Sequence, residues 1–279
     1  MGENCIPQDE TTETTAVIYT HGHSDAVLRS HRWRTAANSA AYLLPHLSAE
    51  MSFLDIGCGP GTLTVDLARH VRSDLMVGID LDAGVVLEAT GHAQERGIPI
   101  TFRVDDVGTM ERRGEGFDVV HAHQVLQHVG DPVASLQAMA RLAKPGGLIA
   151  ARDASYPAMH WWPELPGLDR WLDLYNKVTI RNGGTPDAGQ RMLHWGQKAG
   201  LSDVRYSSST WTYATPSERA WWSSLWRDRV TSSRLGESAL VYGLATRDDL
   251  HEIGEAWTTW ASHDDAIFVV VHGELLARP

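Results

Sequence analysis

Residues 51–62, reading MSFLDIGCGPGT, constrain this chain more than any other stretch. A short apolar run breaks at Gly57, Gly59 and Gly61, and a segment with helical periodicity follows. Strand, tight turn and helix, in that order, form the first crossover of an α/β nucleotide-binding unit. Glycine carries no Cβ to hold a ligand off and adopts backbone angles that other residues resist. Thr62 and Thr64 are placed to satisfy free amides as the helix begins.

The spacing then separates ligand classes. A dinucleotide fingerprint reads G-x-G-x-x-G, whereas this turn reads G-x-G-x-G with Asp55 two residues ahead of its first glycine. A carboxylate there repels a pyrophosphate but accepts a hydrogen bond from an ammonium, directly or through water. That favours a cationic, phosphate-free ligand such as S-adenosylmethionine. Residues 75–80 read as a buried strand ending in Asp80, about 20 residues beyond Gly61, the spacing at which an acid meets ribose hydroxyls. Leu81 follows it, and Asp82 suits a helix cap. A third strand over 100–104 runs into Asp105, Asp106 and Val107. A fourth covers 117–123 and leads into Gln124-Val-Leu-Gln-His128; Asp131-Pro132 opens a helix, since proline suits the first turn. Lys144-Pro-Gly-Gly147 stops that helix, and 148–153 reads as the fifth strand, ending in Asp153.

Taken together, residues 50–153 resemble the core of class I S-adenosylmethionine-dependent methyltransferases of the ubiquinone/menaquinone type. The carriers are the glycine turn as motif I, Asp80, the Phe117-Asp118 strand, the Asp131-Pro132 helix start and the Pro-Gly-Gly turn. The resemblance implies an α/β Rossmann-like seven-stranded methyltransferase sheet. It places the adenine amine on Asp106 and the ring on the Val107 amide, with Asp105 as the close competitor. His123 and Gln124 fall at the methionine end. In that family a segment ahead of the first strand often closes over the cofactor, which makes Tyr19 and His23 contact candidates.

Beyond Asp153 the composition changes: ten of the 11 tryptophans follow residue 160, and only Trp33 precedes it. Six segments are expected. An N-terminal arm with cap helices covers 1–45, including one long helix over 26–44, and a cofactor-binding core covers 46–155. A first insertion occupies 156–187, a core helix and sixth strand 188–213, a second insertion 214–264, and the last strand 265–279. On such a sheet both insertions leave from the carboxyl edge, where ligands bind, so they meet as a helical lid. Indole and phenol rings bury large apolar areas and stack on flat substrates. Trp161, Trp162, Tyr175, Arg181 and Trp222 are the candidate substrate contacts, while most tryptophans are expected to pack within the lid.

Methyl transfer requires in-line alignment and, for some acceptors, removal of a proton. His23, His128, Asp153, Tyr156 and His160 are the candidates near the reacting end. The Tyr-Thr-His-Gly start, the Trp-Pro-Glu-Leu-Pro-Gly-Leu168 insertion and Gly-Gly-Thr-Pro-Asp-Ala-Gly189 resemble an actinobacterial and fungal branch of small-molecule methyltransferases. That branch implies C3-methylation of an indole, in a tryptophan-containing cyclic dipeptide or a tryptamine-like compound, within secondary metabolism. S-methylation of a thiol or dithiol and O-methylation are the alternatives. A Rossmann dehydrogenase or a silent cofactor-binding protein are the readings outside methyl transfer.

A formal net charge of −11 without a basic run excludes a nucleic-acid surface. Cys5 and Cys58 do not make a disulfide framework, and no apolar stretch approaches the roughly 20 residues of a membrane span. The polar first 15 residues carry no secretory signal, so a cytoplasmic monomer or homodimer is expected. His21, His23 and His31 lack the cysteine or carboxylate partners of a metal set, and no metal is expected.

Overall fold

A computed structural model describes Thr20, residues 30–112 and residues 114–279; Tyr19 and His23 lie outside the described residues. Eight strands are described: Phe53–Ile56 (β1), Met76–Asp80 (β2), Thr101–Val104 (β3), Phe117–His123 (β4), Ala143–Ala154 (β5), His160–Trp162 (β6), Ser202–Tyr213 (β7) and Ile267–Arg278 (β8). They form one sheet in which β3, β2, β1, β4 and β5 run parallel in that spatial order. The last strand, β8, lies antiparallel to β5 and carries β7 on its other edge. This is the Rossmann-like methyltransferase arrangement of seven strands with one addition. The short β6 continues the line of β5 along β8, pairing Trp161 with Phe268.

The helices follow their sequence signals with two exceptions. Thr62–Leu67 (α2) begins at Gly61 in the left-handed region, with no side-chain cap. Thr62 and Thr64 have other partners: Thr62 Oγ1 donates to the His31 carbonyl, and Thr64 Oγ1 to Asp55. The long helix expected over 26–44 is interrupted among the described residues. Thr35 takes an extended backbone and caps the four-residue helix Ala36–Ser39 (α1), exchanging hydrogen bonds with Asn38. A local Thr/Asn capping box thus overrides an apolar periodicity that would have carried one helix through. Ala83–Glu95 (α3) is capped by Asp82, and Pro132–Leu142 (α4) by Asp131, as the residues there predict.

Pro166–Arg181 (α5) leaves from beyond β5, Ala188–Lys198 (α6) returns to the sheet, and Pro216–Ser232 (α7), Arg234–Val241 (α8) and Arg247–Ser262 (α9) follow β7. One sheet face is covered by Ala36, Ala40, Leu43, Leu63 and Leu67 over Phe53, Val119 and Ala150. The opposite face carries Leu136, Met139, Met192 and Trp195 over Leu54, Val120, Ile149 and Leu275. The two inserted segments make a third, aromatic cluster with the upper ends of β7 and β8. In it Trp171 meets Trp226 edge-on at 4.6 Å and Trp257 at 4.9 Å. Such pairs contribute about 0.5–1.5 kcal/mol each beyond area burial. The cluster reaches the carboxyl end of β5 at Ala154 and Tyr156.

Candidate active site

The glycine turn does two jobs. Gly57, Gly59 and Gly61 all have positive φ, between 55° and 77°. A Cβ on Gly57 would lie 2.6 Å from Val125 Cγ2, and one on Gly61 2.8 Å from Ala89 Cβ. Those two glycines answer the protein's own packing as well as the turn. The cleft beside them is lined by His31, Arg34, Asp55, Gly59, Pro60 and His123, among others.

Three predicted acids spend side-chain oxygens on the protein itself. Asp55 is buried at 2% exposure and accepts from Thr64 Oγ1 at 2.5 Å and from His121 Nδ1 at 2.8 Å. Any approach to an ammonium therefore goes through its remaining lone pairs. Asp80 accepts the Gly59 amide at 3.0 Å and the Asp82 amide at 3.1 Å, tying the end of β2 to the glycine turn. Asp106 is exposed and accepts from the Gly108 amide at 2.8 Å, while Val107 is half-buried against the core. Leu81, after Asp80, is 72% exposed. His123 differs from these acids: it is nine-tenths buried at the cleft wall, and neither ring nitrogen has a hydrogen-bond partner among the described residues. Burial, then the charges of Arg34 and Arg152, hold its pKa well below the ordinary histidine value. It is a neutral ring with one donor and one acceptor to offer.

A second cavity adjoins the first, with His31 and Arg34 lining both. Its aromatic wall is Tyr156, Trp211 and Trp222; Ala154, Met159 and Val270 add apolar surface, and Gln124, His128, Ser30 and Arg229 the polar part. Gln124 sits at φ 55°, unusual outside glycine, and its side chain spans the junction. Its Oε1 accepts from Arg34 Nη2 at 2.8 Å, and its Nε2 lies 3.1 Å from His272 Nε2. Tyr156 stacks on Tyr175 with ring centroids 3.7 Å apart, and burial raises the pKa of both phenols. Burial, with Arg34 and Arg229 nearby, pushes His128 down to about 3. Asp153 is pushed up to about 7 by burial, opposed by the amides of Gln127 and Leu126 that it accepts at 3.4 and 3.1 Å.

The fold gathers some predicted residues and disperses others. Tyr156, His128, Trp222 and Gln124 line the aromatic cavity, and Asp55, Gly57, Gly59 and His123 line the glycine cleft. Tyr175 stands behind Tyr156, and Asp153 beneath the β4 exit. Trp161 is buried in the aromatic cluster, stacked on Phe268 at 5.6 Å. His160 is exposed on β6, and Trp162 is 51% exposed, its Nε1 donating to Asp265 Oδ2 at 3.1 Å. Arg181 is exposed with its guanidinium 5.0 Å over the Tyr242 ring. Sequence reasoning did not nominate Arg34, Met159, Trp211, Arg229 or Val270. Trp211 had a signal, since Ser209, Trp211 and Tyr213 alternate with exposed Ser208, Thr210 and Thr212 along one strand face. Arg34 and Arg229 had none, because distant segments bring them together.

Among the described residues no group of three or more His, Cys, Asp or Glu side chains could hold a metal, and no helix is long and apolar enough to cross a membrane. The family described as "Methyltransferase domain" matches residues 47–197, more than half of the chain. An uncharacterized methyltransferase of Schizosaccharomyces pombe is 28% identical over 277 residues, covering 95% of this chain and 98% of that protein. Among solved structures, the YcgJ protein of Bacillus subtilis superposes with a TM-score of 0.56 at 17% identity, covering 85% of this chain and 97% of that one. A phosphoethanolamine N-methyltransferase of Haemonchus contortus, solved with phosphomonomethylethanolamine and S-adenosylhomocysteine, gives a TM-score of 0.51 at 16% identity. That match covers 84% of this chain, which spans half of the Haemonchus protein. The chain belongs to the methyltransferase-domain family.

Proposed function

We propose that this member of the methyltransferase-domain family transfers the methyl group of S-adenosylmethionine to a small aromatic natural product held in the adjoining cavity. The acceptor we favour is C3 of an indole, in a tryptophan-containing cyclic dipeptide or a tryptamine-like compound of secondary metabolism. One observation carries this reading: the glycine cleft and the aromatic cavity share His31 and Arg34 as a common wall. A donor in the first therefore lies beside a flat acceptor in the second.

The cleft fits such a donor by its chemistry. It combines the glycine turn with the neutral, unsatisfied ring of His123, a group suited to a ligand with polar ends. When bound, the cofactor supplies an activated methyl group on a sulfonium. In this reading Gly57, Gly59 and Gly61 shape the cleft, Asp80 and Leu81 meet the ribose, and Asp106 and Val107 meet the adenine. His123 and Gln124 meet the methionine end, and Asp55 acts through its neighbours. Tyr156, Trp211 and Trp222 hold the acceptor ring, and Tyr156 and His128 are among the polar groups on the same lining. His160, Trp162 and Arg181 stand away from this cavity, and Trp161 and Tyr175 support its wall.

The protonation states bear on the acceptor. Burial holds His123 and His128 below the ordinary histidine pKa, so both are weak bases for taking a proton from a substrate at neutral pH. Indole C3 is nucleophilic without prior deprotonation. The methyl bond forms at C3 as the sulfonium bond breaks, and the indole N–H proton is then lost, or an amide nitrogen closes on C2 and loses its own. A thiol also reacts with little help, because a pKa near ~8.5 leaves a fraction ionised. The test is a mass-spectrometric turnover screen with S-adenosylmethionine against cyclic dipeptides, tryptamines, dithiols and phenols. Gain of one methylene mass on an indole, with indoline or indolenine absorbance, is the expected result. Turnover of dithiols or phenols alone rejects the indole acceptor.

A further inference from the structure

One buried side chain carries a loop that lines the aromatic cavity and packs against the glycine turn. Residues 124–128 leave β4 in the left-handed conformation of Gln124 and continue as the 3-10 turn Leu126–His128. Gln124 and His128 face the aromatic cavity. Val125, between them, packs against the glycine turn so closely that only a glycine fits at position 57. On the far side the Gln127 carbonyl accepts the Thr185 amide at 2.8 Å, where the first insertion returns to the sheet. Gly184 and Gly189 are pressed there too: a Cβ on Gly184 would lie 2.7 Å from the Gln127 carbonyl, and one on Gly189 2.6 Å from the Asp153 carbonyl.

One carboxylate holds this loop. Asp153, fully buried at the end of β5, accepts the backbone amides of Leu126 and Gln127 on its two oxygens. Those amides begin a turn whose first donors have no partner within the turn, and a carboxylate satisfies them as a helix cap does. Asp153 does not line the aromatic cavity and is not placed to take a proton from a substrate there.

We infer that Asp153 is a positioning residue: by clamping the 124–128 loop it registers the cofactor turn, through Val125, to the cavity wall, through Gln124 and His128. This rests on the reading that the two pockets hold cofactor and acceptor. It follows that the two sites are coupled through one loop, and that loosening the clamp disturbs cofactor binding even though Asp153 lies outside the cleft lining.

The experiment compares the full chain with Asp153→Asn and Asp153→Ala by titration with S-adenosylhomocysteine and by amide hydrogen exchange. Asn keeps one acceptor oxygen, and Ala keeps none. The expected result is a graded loss. Affinity falls about tenfold in Asp153→Ala and by a smaller factor in Asp153→Asn, as for one charged hydrogen-bonded contact. Exchange in the peptide spanning 124–128 quickens in the same order, while that of β8 is unchanged. A general structural defect would quicken β8 as well. If Asp153→Ala does not fold, Asp153→Asn alone decides by the same two readouts. Affinity within twofold of the wild type, together with unchanged exchange over 124–128, would overturn the inference. Failure of the wild-type protein to bind S-adenosylhomocysteine would instead strike at the cofactor reading itself.

Discussion

The parallel core and the aromatic half of this molecule are built on opposite principles. In the core, polar side chains of the signature stretches hold the protein itself: Asp80 holds the backbone of the glycine turn, Asp153 that of the β4 exit, and Asp55 the side chains of Thr64 and His121. In the aromatic half, large rings hold each other, and of its many tryptophans only Trp211 and Trp222 face the cavity. A motif therefore marks where the main chain must take an unusual path, and the ligand uses what that path leaves open. A substrate pocket assembled from packing residues writes no motif at all.

The contrast can be broken from either side. The largest effect belongs to the aromatic half: Trp171→Ala, at a fully buried site, should cost about 3–5 kcal/mol in urea unfolding. Next comes Gly61→Ala, which forces a side chain into φ 77° and against Ala89; it should cost about 2–3 kcal/mol and weaken S-adenosylhomocysteine binding. A variant that kept full affinity would show that the turn tolerates a Cβ. Trp222→Ala should raise the KM for an aromatic acceptor by about 2- to 10-fold, the range of one lost aromatic contact, with cofactor affinity unchanged. An equal effect on both ligands would merge the two regions that the account separates.

A pH experiment sharpens the comparison further. The folded-state pKa of Asp153 is raised from 3.8 to about 7, so the native protein holds that proton more tightly than the unfolded chain. Its contribution to stability is most favourable below the unfolded pKa and declines as pH rises towards about 7. Asp153→Asn is neutral throughout. Its unfolding free energy relative to wild type should therefore improve between pH 3.8 and about 7 and level off above. A gap independent of pH would place the titration elsewhere. The smallest effect is expected at Trp162, half-exposed on β6, where Ala substitution should change stability by about 0.5 kcal/mol or less.

How much of this was legible follows the same division. Strands β2 to β4, the glycine turn and the Asp131-Pro132 helix start depend on local chemistry and fall within about a residue of the sequence reading, whereas β5 starts at Ala143, ahead of the Pro-Gly-Gly turn that was expected to precede it. One element went unseen and one was expected too long, both for physical reasons. The three residues of β6 are a strand only because β8 offers them a partner, and the helix expected over 26–44 yields at Thr35 to a side-chain cap. Asp55 and Asp153 were recognisable as acids at strand ends, but a strand-end acid looks the same in sequence whether it faces a ligand or an amide. The junction at Arg34 and Gln124 joins residues 90 apart in the chain and left no local trace.

The central claim is that the glycine cleft delivers a methyl group into the aromatic cavity. A crystal structure with S-adenosylhomocysteine tests it most directly. The thioether sulfur is expected at the shared wall of His31 and Arg34, beside Gln124 and open towards Tyr156, Trp211 and Trp222. A sulfur directed away from that cavity, with protein closed between the two, would contradict it.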